Sequence, residues 1–382
     1  NMERPGGMIV APEILSVAGG WGREILGPEQ EAKRIGIKDY PLYNFGFAVS
    51  QPDETVKTIE TGVPYEIHGA HFQTTNGIAC MGADPHRVYN AFNKCDFIVS
   101  VDLFMTPTIM ALADVVLPAA TFAERNGIRV GDGPQRGEVI NKVTQIGECK
   151  SDMEMNLELG RRLAPEAWPW DNVDEMFTDM LKPTEMSFEE LQSVAPAYQP
   201  IEYYRYEKGM LRKDGQPGFN TPSGKLEFDS EILKGFGYEG LPVYEEPVHT
   251  PYAPTEEDKR YPLVLNAGSR LPYYTHSKLR EIPWLNQFMP EPVVRLHPQD
   301  ARDRSIGTGD VVRVFNHQNE IEMKAEVTNL VHAGMVDIFH GWHQANVNLL
   351  TTRDFDPITG FPPFRCGLCE VEATGKGRLV SQ

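Results

Sequence analysis

The tightest constraint on this chain sits in its last third. Residues 261–382 break into short apolar runs at 262–266, 292–296, 311–315, 320–328 and 335–339. Each is too short for an ordinary helix and has the length of a strand. Gly307-Thr308-Gly309-Asp310 punctuates two of them. Many short strands joined by turns fold into a compact β barrel, here expected to be mostly antiparallel. That barrel cannot absorb the whole chain. With 382 residues, the sequence is long enough for two or three domains.

A different pattern precedes it. Phe97-Ile98-Val99-Ser100-Val101 and Val115-Val116-Leu117 are short, unbroken apolar runs. Such runs suit strands of a parallel sheet buried on both faces. Between and before them the sequence reads as helix, from His86 to Cys95 and from Thr106 to Ala113, with Pro85 and Pro107 in the first turns. These βαβ units predict a doubly wound α/β domain over residues 61–150. Residues 1–60 are rich in Gly and Pro and read as an irregular lead-in. Residues 151–258 read as a mixed α+β connection. It holds an amphipathic helix from Asp152 to Leu163, a helix start capped by Ser187, and two strand-like alternations at 203–206 and 225–228. The barrel domain then spans 259–382.

The net charge of −18 repels phosphate backbones and anionic lipid, which argues against a nucleic-acid or membrane-surface role. The acidic surface suits a basic protein partner. No apolar run approaches the roughly 20 residues of a membrane helix. Five cysteines are too few, and odd in number, for a disulfide framework. The chain opens on Asn1-Met2 and enters a Pro5-Gly6-Gly7 turn, which reads as a start partway through something. The lack of a signal peptide therefore says little about compartment, and cytoplasm and periplasm of a prokaryote both stay open.

Three clusters carry candidate chemistry. Gly82-Ala83-Asp84-Pro85 and Asp102-Leu103-Phe104-Met105-Thr106 each follow an apolar stretch and precede a helix. Ligands of open α/β sheets bind at such strand ends, where a Gly admits close approach and helix N–H groups favour an anion. Asp102 could take a ribose hydroxyl or a guanine N–H edge. Ordinary turn and cap chemistry explains the same residues, and no Gly-x-Gly-x-x-Gly loop or Walker lysine is present. The second cluster is Gly268-Ser269-Arg270 with His276-Ser277, a strand end followed by a donor-rich loop. The third is Gly341-Trp342-His343-Gln344-Ala345-Asn346-Val347-Asn348, followed by Asp356–Gly360 and by Arg365. Amides in an apolar setting need partners and match a fused pyrimidine edge. A loop held together by its own Asn side chains is the plainer alternative. Cys366-Gly367-Leu368-Cys369 lacks the helix start or second pair that a redox or zinc site needs, so it reads as packed cysteine. His68-Gly69-Ala70-His71 looks like half a metal site with no evident third ligand.

The order of these motifs is more specific than any one of them. Glu3-Arg4-Pro5-Gly6-Gly7 comes first, then Met81-Gly82-Ala83-Asp84-Pro85 and Ala113-Asp114-Val115-Val116-Leu117-Pro118. Glu124-Arg125-Asn126-Gly127, Thr221-Pro222-Ser223-Gly224-Lys225, the Gly-Ser-Arg…His-Ser stretch and Asn346-Val347-Asn348-Leu349-Leu350-Thr351 follow. This series resembles the C-terminal half of the dimethyl sulfoxide reductase family of molybdenum and tungsten enzymes. It is most similar to the branch holding acetylene hydratase, polysulfide reductase and catechol dehydroxylases. The resemblance implies a bis-molybdopterin guanine dinucleotide cofactor with Mo or W. It implies that Gly82, Asp84, Asp102 and Thr106 lie on the nucleotide side. It also implies that the last domain is a six-stranded double-psi barrel whose Gly268, Arg270, His276, Ser277, Asn346, Asn348 and Arg365 contact the cofactor. Asp84 stands where the family more often has Asn, which keeps an acceptor and loses a donor. Ser269 stands where a second Gly is common.

No residue here is expected to be catalytic or to ligate the metal. In the family, the metal ligand and the [4Fe-4S] cysteines belong to the N-terminal half. The expectation is therefore a cofactor-holding portion of an oxidoreductase, inactive alone. It would be completed by another chain or segment and served by an iron–sulfur electron-transfer subunit. A non-catalytic, split cofactor-binding subunit is the alternative.

Overall fold

The computed structural model describes residues 1–10, 26–42, 49–130, 136–198 and 202–375. Parts of the irregular lead-in, 11–25 and 43–48, fall outside that range. The chain forms two compact units, one of Asn1–Pro28 with Leu117–Val243, the other of Glu29–Val116 with Tyr244–Gln382.

The second unit holds a parallel sheet and a barrel. Helix α1 (Pro52–Thr61) starts where the Gln51 side chain accepts the Glu54 N–H at 2.8 Å, and it stops at Gly62 in the left-handed region. Strand β1 (Gly69–Gln73) pairs in parallel with β2 (Phe97–Asp102), Gly69 opposite Phe97. The crossover contains α2 (Gly77–Cys80) and α3 (Pro85–Phe92); α4 (Pro107–Leu112) leads to β3 (Val115–Pro118), which lies beside β2. Val56, Ile59, Val88, Ala91, Phe92, Ile98 and Leu112 form the core on one side of this sheet. The expectation that both apolar runs are buried on both faces holds only in part. Val115 and Val116 of the edge strand β3 are 38% and 39% exposed.

The first unit has an antiparallel sheet of β4 (Gly127–Val130), β5 (Arg136–Ile140) and β6 (Ala197–Tyr198). With it come α5 (Asp152–Leu163), α6 (Val173–Met180) and α7 (Phe188–Val194). Ser151 with Glu154, and Ser187 with Glu190, close reciprocal capping boxes that satisfy first-turn N–H groups. The strands expected at 203–206 and 225–228 do not form. The Tyr204 N–H bonds the Glu3 carbonyl, and Arg205 makes two 2.8 Å bonds to the fully buried Glu3 carboxylate. Positive φ at Tyr204 then turns the chain. At 221–227, Thr221 and Glu227 take up backbone groups that a ladder would have used.

The barrel is closed by six strands. They are β7 (Leu263–Ser269), β8 (Val293–Leu296), β9 (Val311–Phe315), β10 (Glu320–Val327), β11 (Met335–Phe339) and β12 (Gly367–Ala373). Their order around the barrel is β10-β8-β11-β7-β12-β9. Pairs β7/β11 and β8/β10 are parallel and the other four are antiparallel. Alternation points Leu263, Leu265, Val294, Leu296, Val312, Val314, Val336 and Ile338 inward, each at most 2% exposed. Full closure leaves no edge strand exposed. Leu296→Ala should lower unfolding free energy by about 2–5 kcal/mol in urea titration, because neighbours in a closed barrel cannot collapse into the void. Phe228→Ala, at an 81% exposed site, should change it by less than about 0.5 kcal/mol.

Candidate functional site

Between the sheet and the barrel of the second unit lies a cavity of about 330 Å³. The sheet side supplies the start of α1 and the turn after α2, with Cys80, Met81 and Gly82. The barrel side supplies Gly268 and Arg270 from the end of β7, His276, His340, Asn348 and the 355–365 loop. Six of the residues singled out from sequence meet here: Gly82, Gly268, Arg270, His276, Asn348 and Arg365.

The crest of β7 is held by a polar knot. Asn266 donates to the Asp337 carboxylate at 2.7 Å and to Ser269 Oγ at 3.1 Å, and Ser269 also donates to Asp337. The Gly268 N–H bonds Asn266 Oδ1, and the Ala267 N–H bonds the Phe364 carbonyl at 2.8 Å. These bonds bring the 355–365 loop over Gly268. A Cβ on Gly268 would sit 2.7 Å from Arg365 Nε and 2.9 Å from its Cγ, so the missing side chain is what lets Arg365 lie there. Neither Arg270 nor Arg365 has a carboxylate partner among the described residues, although both face the cavity. Asn348 is 2% exposed, and its N–H is taken by Asn346 Oδ1 at 3.1 Å. Its own amide group has no protein hydrogen bond among the described residues. A buried amide flanked by unpaired guanidiniums fits a planar heterocycle carrying acceptors or negative charge.

Two histidines close one wall. His276 Nδ1 and His340 Nε2 are 2.6 Å apart. Burial, then His276, Arg270 and Arg280, push His340 down to about 4; burial and Arg270 also lower His276. Behind them Arg280, 6% exposed, donates to the His276 carbonyl at 3.2 Å and the His340 carbonyl at 2.6 Å. Its guanidinium lies 3.9 Å from the Trp342 ring centroid and 4.7 Å from that of Tyr274. Burial lowers it to about 10, and it remains charged at neutral pH. Gly341, at φ +88°, allows the two loops to touch. A Cβ there would be 2.8 Å from the His276 backbone.

The other expected residues sit elsewhere. Ser277 accepts from Asn76 at 3.1 Å, and Asn346 donates to the Ile78 carbonyl at 2.8 Å. Both bonds join the barrel loops to the region of α2, behind the cavity wall. Asp84 caps α3 by accepting the Arg87 N–H at 3.0 Å, and Thr106 caps α4. Asp102 accepts the Leu103 N–H at 2.7 Å at the end of β2. These three lie along the sheet crest outside the cavity lining. Sequence reasoning missed Gln51, Cys80 and His340. Gln51 reaches the Gly360 carbonyl at 2.6 Å while capping α1, and a Gln before a Pro was its faint signal. His340 carries none, since it only ends a strand. His68 belongs to β1's approach and pairs with Asp96 at 2.9 Å. Among the described residues no three His, Cys, Asp or Glu side chains cluster as a metal would need. Cys369 is fully buried in β12 and Cys366 is half-buried, and burial raises both thiols. No helix among the described residues is long and apolar enough to cross a membrane.

A family model described as molydopterin dinucleotide binding domain matches residues 263–367, and one described as molybdopterin oxidoreductase matches 32–162. Acetylene hydratase of Syntrophotalea acetylenica is 28% identical over 82% of this chain and 42% of its own length. Dopamine dehydroxylase of Eggerthella lenta is 26% identical over 94% and 44%. A dimethyl sulfoxide/trimethylamine N-oxide reductase of Cereibacter sphaeroides is 31% identical over 68% and 34%. The chain thus spans less than half the length of these curated relatives. The solved acetylene hydratase from Pelobacter acetylenicus shares the fold with a TM-score of 0.85, at 24% identity, over 96% of this chain and 56% of that one.

Two predictions follow from the site. Gly341→Ala meets backbone at 2.8 Å and an unfavourable φ, and should cost at least about 1–3 kcal/mol in urea titration. Gly268→Ala meets only the movable Arg365 side chain and should cost less than about 1 kcal/mol while displacing Arg365. The second concerns pH. His340 titrates at about 4 in the folded chain against an ordinary 6.5, so the unfolded chain takes up the proton first. The associated stability is complete above pH 6.5 and is lost as pH falls toward 4. Thermal melts across that window should show a shallower acid loss for His340→Gln than for the wild type.

Proposed function

This chain belongs to the dimethyl sulfoxide reductase family of molybdopterin oxidoreductases, and from that premise we propose that it forms the cofactor-holding portion of a molybdenum- or tungsten-dependent enzyme. One observation supports this reading most strongly. A buried Asn348 amide without a protein partner lies in a cavity beside Arg270 and Arg365, two guanidiniums without carboxylates. An apolar ligand would leave the buried Asn348 amide unsatisfied, and a cation would be repelled by the two guanidiniums. A pterin head, with a fused pyrimidine edge and a phosphate attached, satisfies them together. About 330 Å³ suits one such head.

In this reading Asn348 reads the pyrimidine edge and His276 meets a polar ring atom. Arg270 and Arg365 hold acceptor oxygens, while Gly82 lets backbone close over the ligand. The rest of a dinucleotide runs outward toward the crest, where Asp84 and Thr106 open helices whose starts favour an anion and Asp102 ends β2. The bound group supplies two-electron chemistry at its metal; the residues here hold, orient and exclude water from it. None of them attacks a substrate. The protein ligand of the metal, a [4Fe-4S] cluster and an iron–sulfur electron-transfer partner come from a further segment or chain.

The test is retention of cofactor. Purified with whatever chain completes it, the protein should carry Mo or W by elemental analysis and release a fluorescent pterin after oxidation. Arg270→Ala and Arg365→Ala should each weaken pterin retention about tenfold or more, since hydrogen bonds from charged groups contribute about 1.5–3 kcal/mol. A wild-type protein free of pterin and metal would sink the proposal. Pterin without metal or turnover would favour the non-catalytic subunit instead.

A further inference from the structure

One buried side chain reaches the backbone of both members of the histidine pair. Arg280 is 6% exposed and lies outside the cavity lining. Its Nε donates to the His276 carbonyl at 3.2 Å and its Nη2 to the His340 carbonyl at 2.6 Å. The two carbonyls come from different parts of the chain, the loop after β7 and the end of β11. A planar fork with fixed donor directions sets the spacing of two such acceptors, which a flexible ammonium does not. The fork is itself fixed. It lies 3.9 Å from the Trp342 ring centroid and 4.7 Å from that of Tyr274. The Tyr274 hydroxyl reaches the carbonyls of Leu285 and Met289, at 3.2 Å each, and Asn286 donates to the Arg280 carbonyl at 3.1 Å. Leu271, Tyr274, Met289, Phe339 and Trp342 form a small core of their own around this contact.

His276 needs such a hold. Its φ is +53°, in the left-handed region that residues other than glycine seldom adopt, and Leu279 of the same turn has φ +74°. Backbone of that kind persists only where its surroundings fix it. The His276 side chain is exposed, and its ring approaches His340 Nε2 at 2.6 Å. Gly341 supports the turn from behind, since a Cβ there would be 2.8 Å from the His276 backbone. Stability alone does not account for Arg280. It has no ion pair among the described residues, and its Nη1 is buried without a hydrogen bond. A buried cation without a counter-charge is costly, and an unbranched apolar side chain would fill the same space.

We propose that Arg280 is a positioning residue: its fork across the two carbonyls sets the His276–His340 pair, so that His276 stands at the cavity wall ready for a polar group of the ligand. This deepens the reading of the cavity as a pterin-type site and rests on that reading for the ligand, while the pair itself is observable without one.

The first experiment therefore uses the full chain free of cofactor. In 15N-labelled protein, a nitrogen–nitrogen coupling across the hydrogen bond reports the pair whichever ring donates, and His276→Gln identifies the signal. The wild type should show this coupling, and its Arg280 Nε–H should exchange with water more than about tenfold more slowly than that of the exposed Arg270. Arg280→Lys keeps a cation without the fork, and Arg280→Met keeps only the bulk. Both should lose the coupling while their circular dichroism stays that of the folded chain. A coupling retained in either folded variant overturns the proposal. So does a wild type that lacks the coupling or exchanges the Arg280 Nε–H fast, whether or not a variant folds. Unfolding of both variants overturns it too, because Arg280 would then serve the fold as a whole. Where the wild type retains pterin, Arg280→Lys should lower its content as His276→Gln does, and the double variant no further; a further drop would show that Arg280 does not act through His276. A wild type without pterin sinks the cofactor reading and leaves the coupling to decide this one.

Discussion

The site hangs from the parallel pair of β7 and β11. Asp337 on β11, 7% exposed, accepts from the half-buried Asn266 and Ser269 on β7. A carboxylate buried that way requires donors, and both donors come from the strand end that carries Gly268 and Arg270. The same pairing sets Phe339 opposite Ser269, with a bulge beyond Asp337, and so delivers His340 to the cavity wall. Loss of register between these strands would move Arg270, His276 and His340 together.

Around that crest the polar residues divide their labour. Some link parts of the fold. Asn346 and Ser277 spend their hydrogen bonds on the α2 region, Gln51 on Gly360, and Arg280 on two backbone carbonyls. Others are left over. Arg270, Arg365 and the Asn348 amide face the cavity without protein partners among the described residues. Groups of the first kind make the cavity rigid, and groups of the second kind make it selective. Asn348, 2% exposed, is the member of that set that is costly when unsatisfied, while the exposed Arg270 and Arg365 keep water as a partner until a ligand replaces it.

Several sequence expectations carried through because they depend on local physics. The strands at 311–315 and 335–339 and the helix Asp152–Leu163 formed at the expected bounds, since alternation, periodicity and Ser capping act over a few residues. The strand-like stretch at 203–206 did not form. Its fate was settled by Glu3, about 200 residues away, which draws Arg205 into a buried ion pair. No local pattern reports such a partner. Val115 and Val116 read as buried strand, yet they lie on a sheet edge, because apolar character does not say which neighbour will cover it.

What the sequence determined by itself was the element types, the ordered motifs that place the chain in its family, and the chemical kinds of residue at the site. Arg270, His276, Asn348 and Arg365 were legible as donors in special settings. Only the tertiary structure decided which donors are spent and which are free. Asn346 and Asn348 look alike in sequence, two positions apart, but one is bonded to the Ile78 carbonyl and the other faces the cavity. His340 comes within 2.6 Å of His276 only because its neighbour Phe339 pairs with Ser269 across the barrel strands. Hydrogen-bond satisfaction is a property of distances between remote segments, and those exist only once the barrel closes.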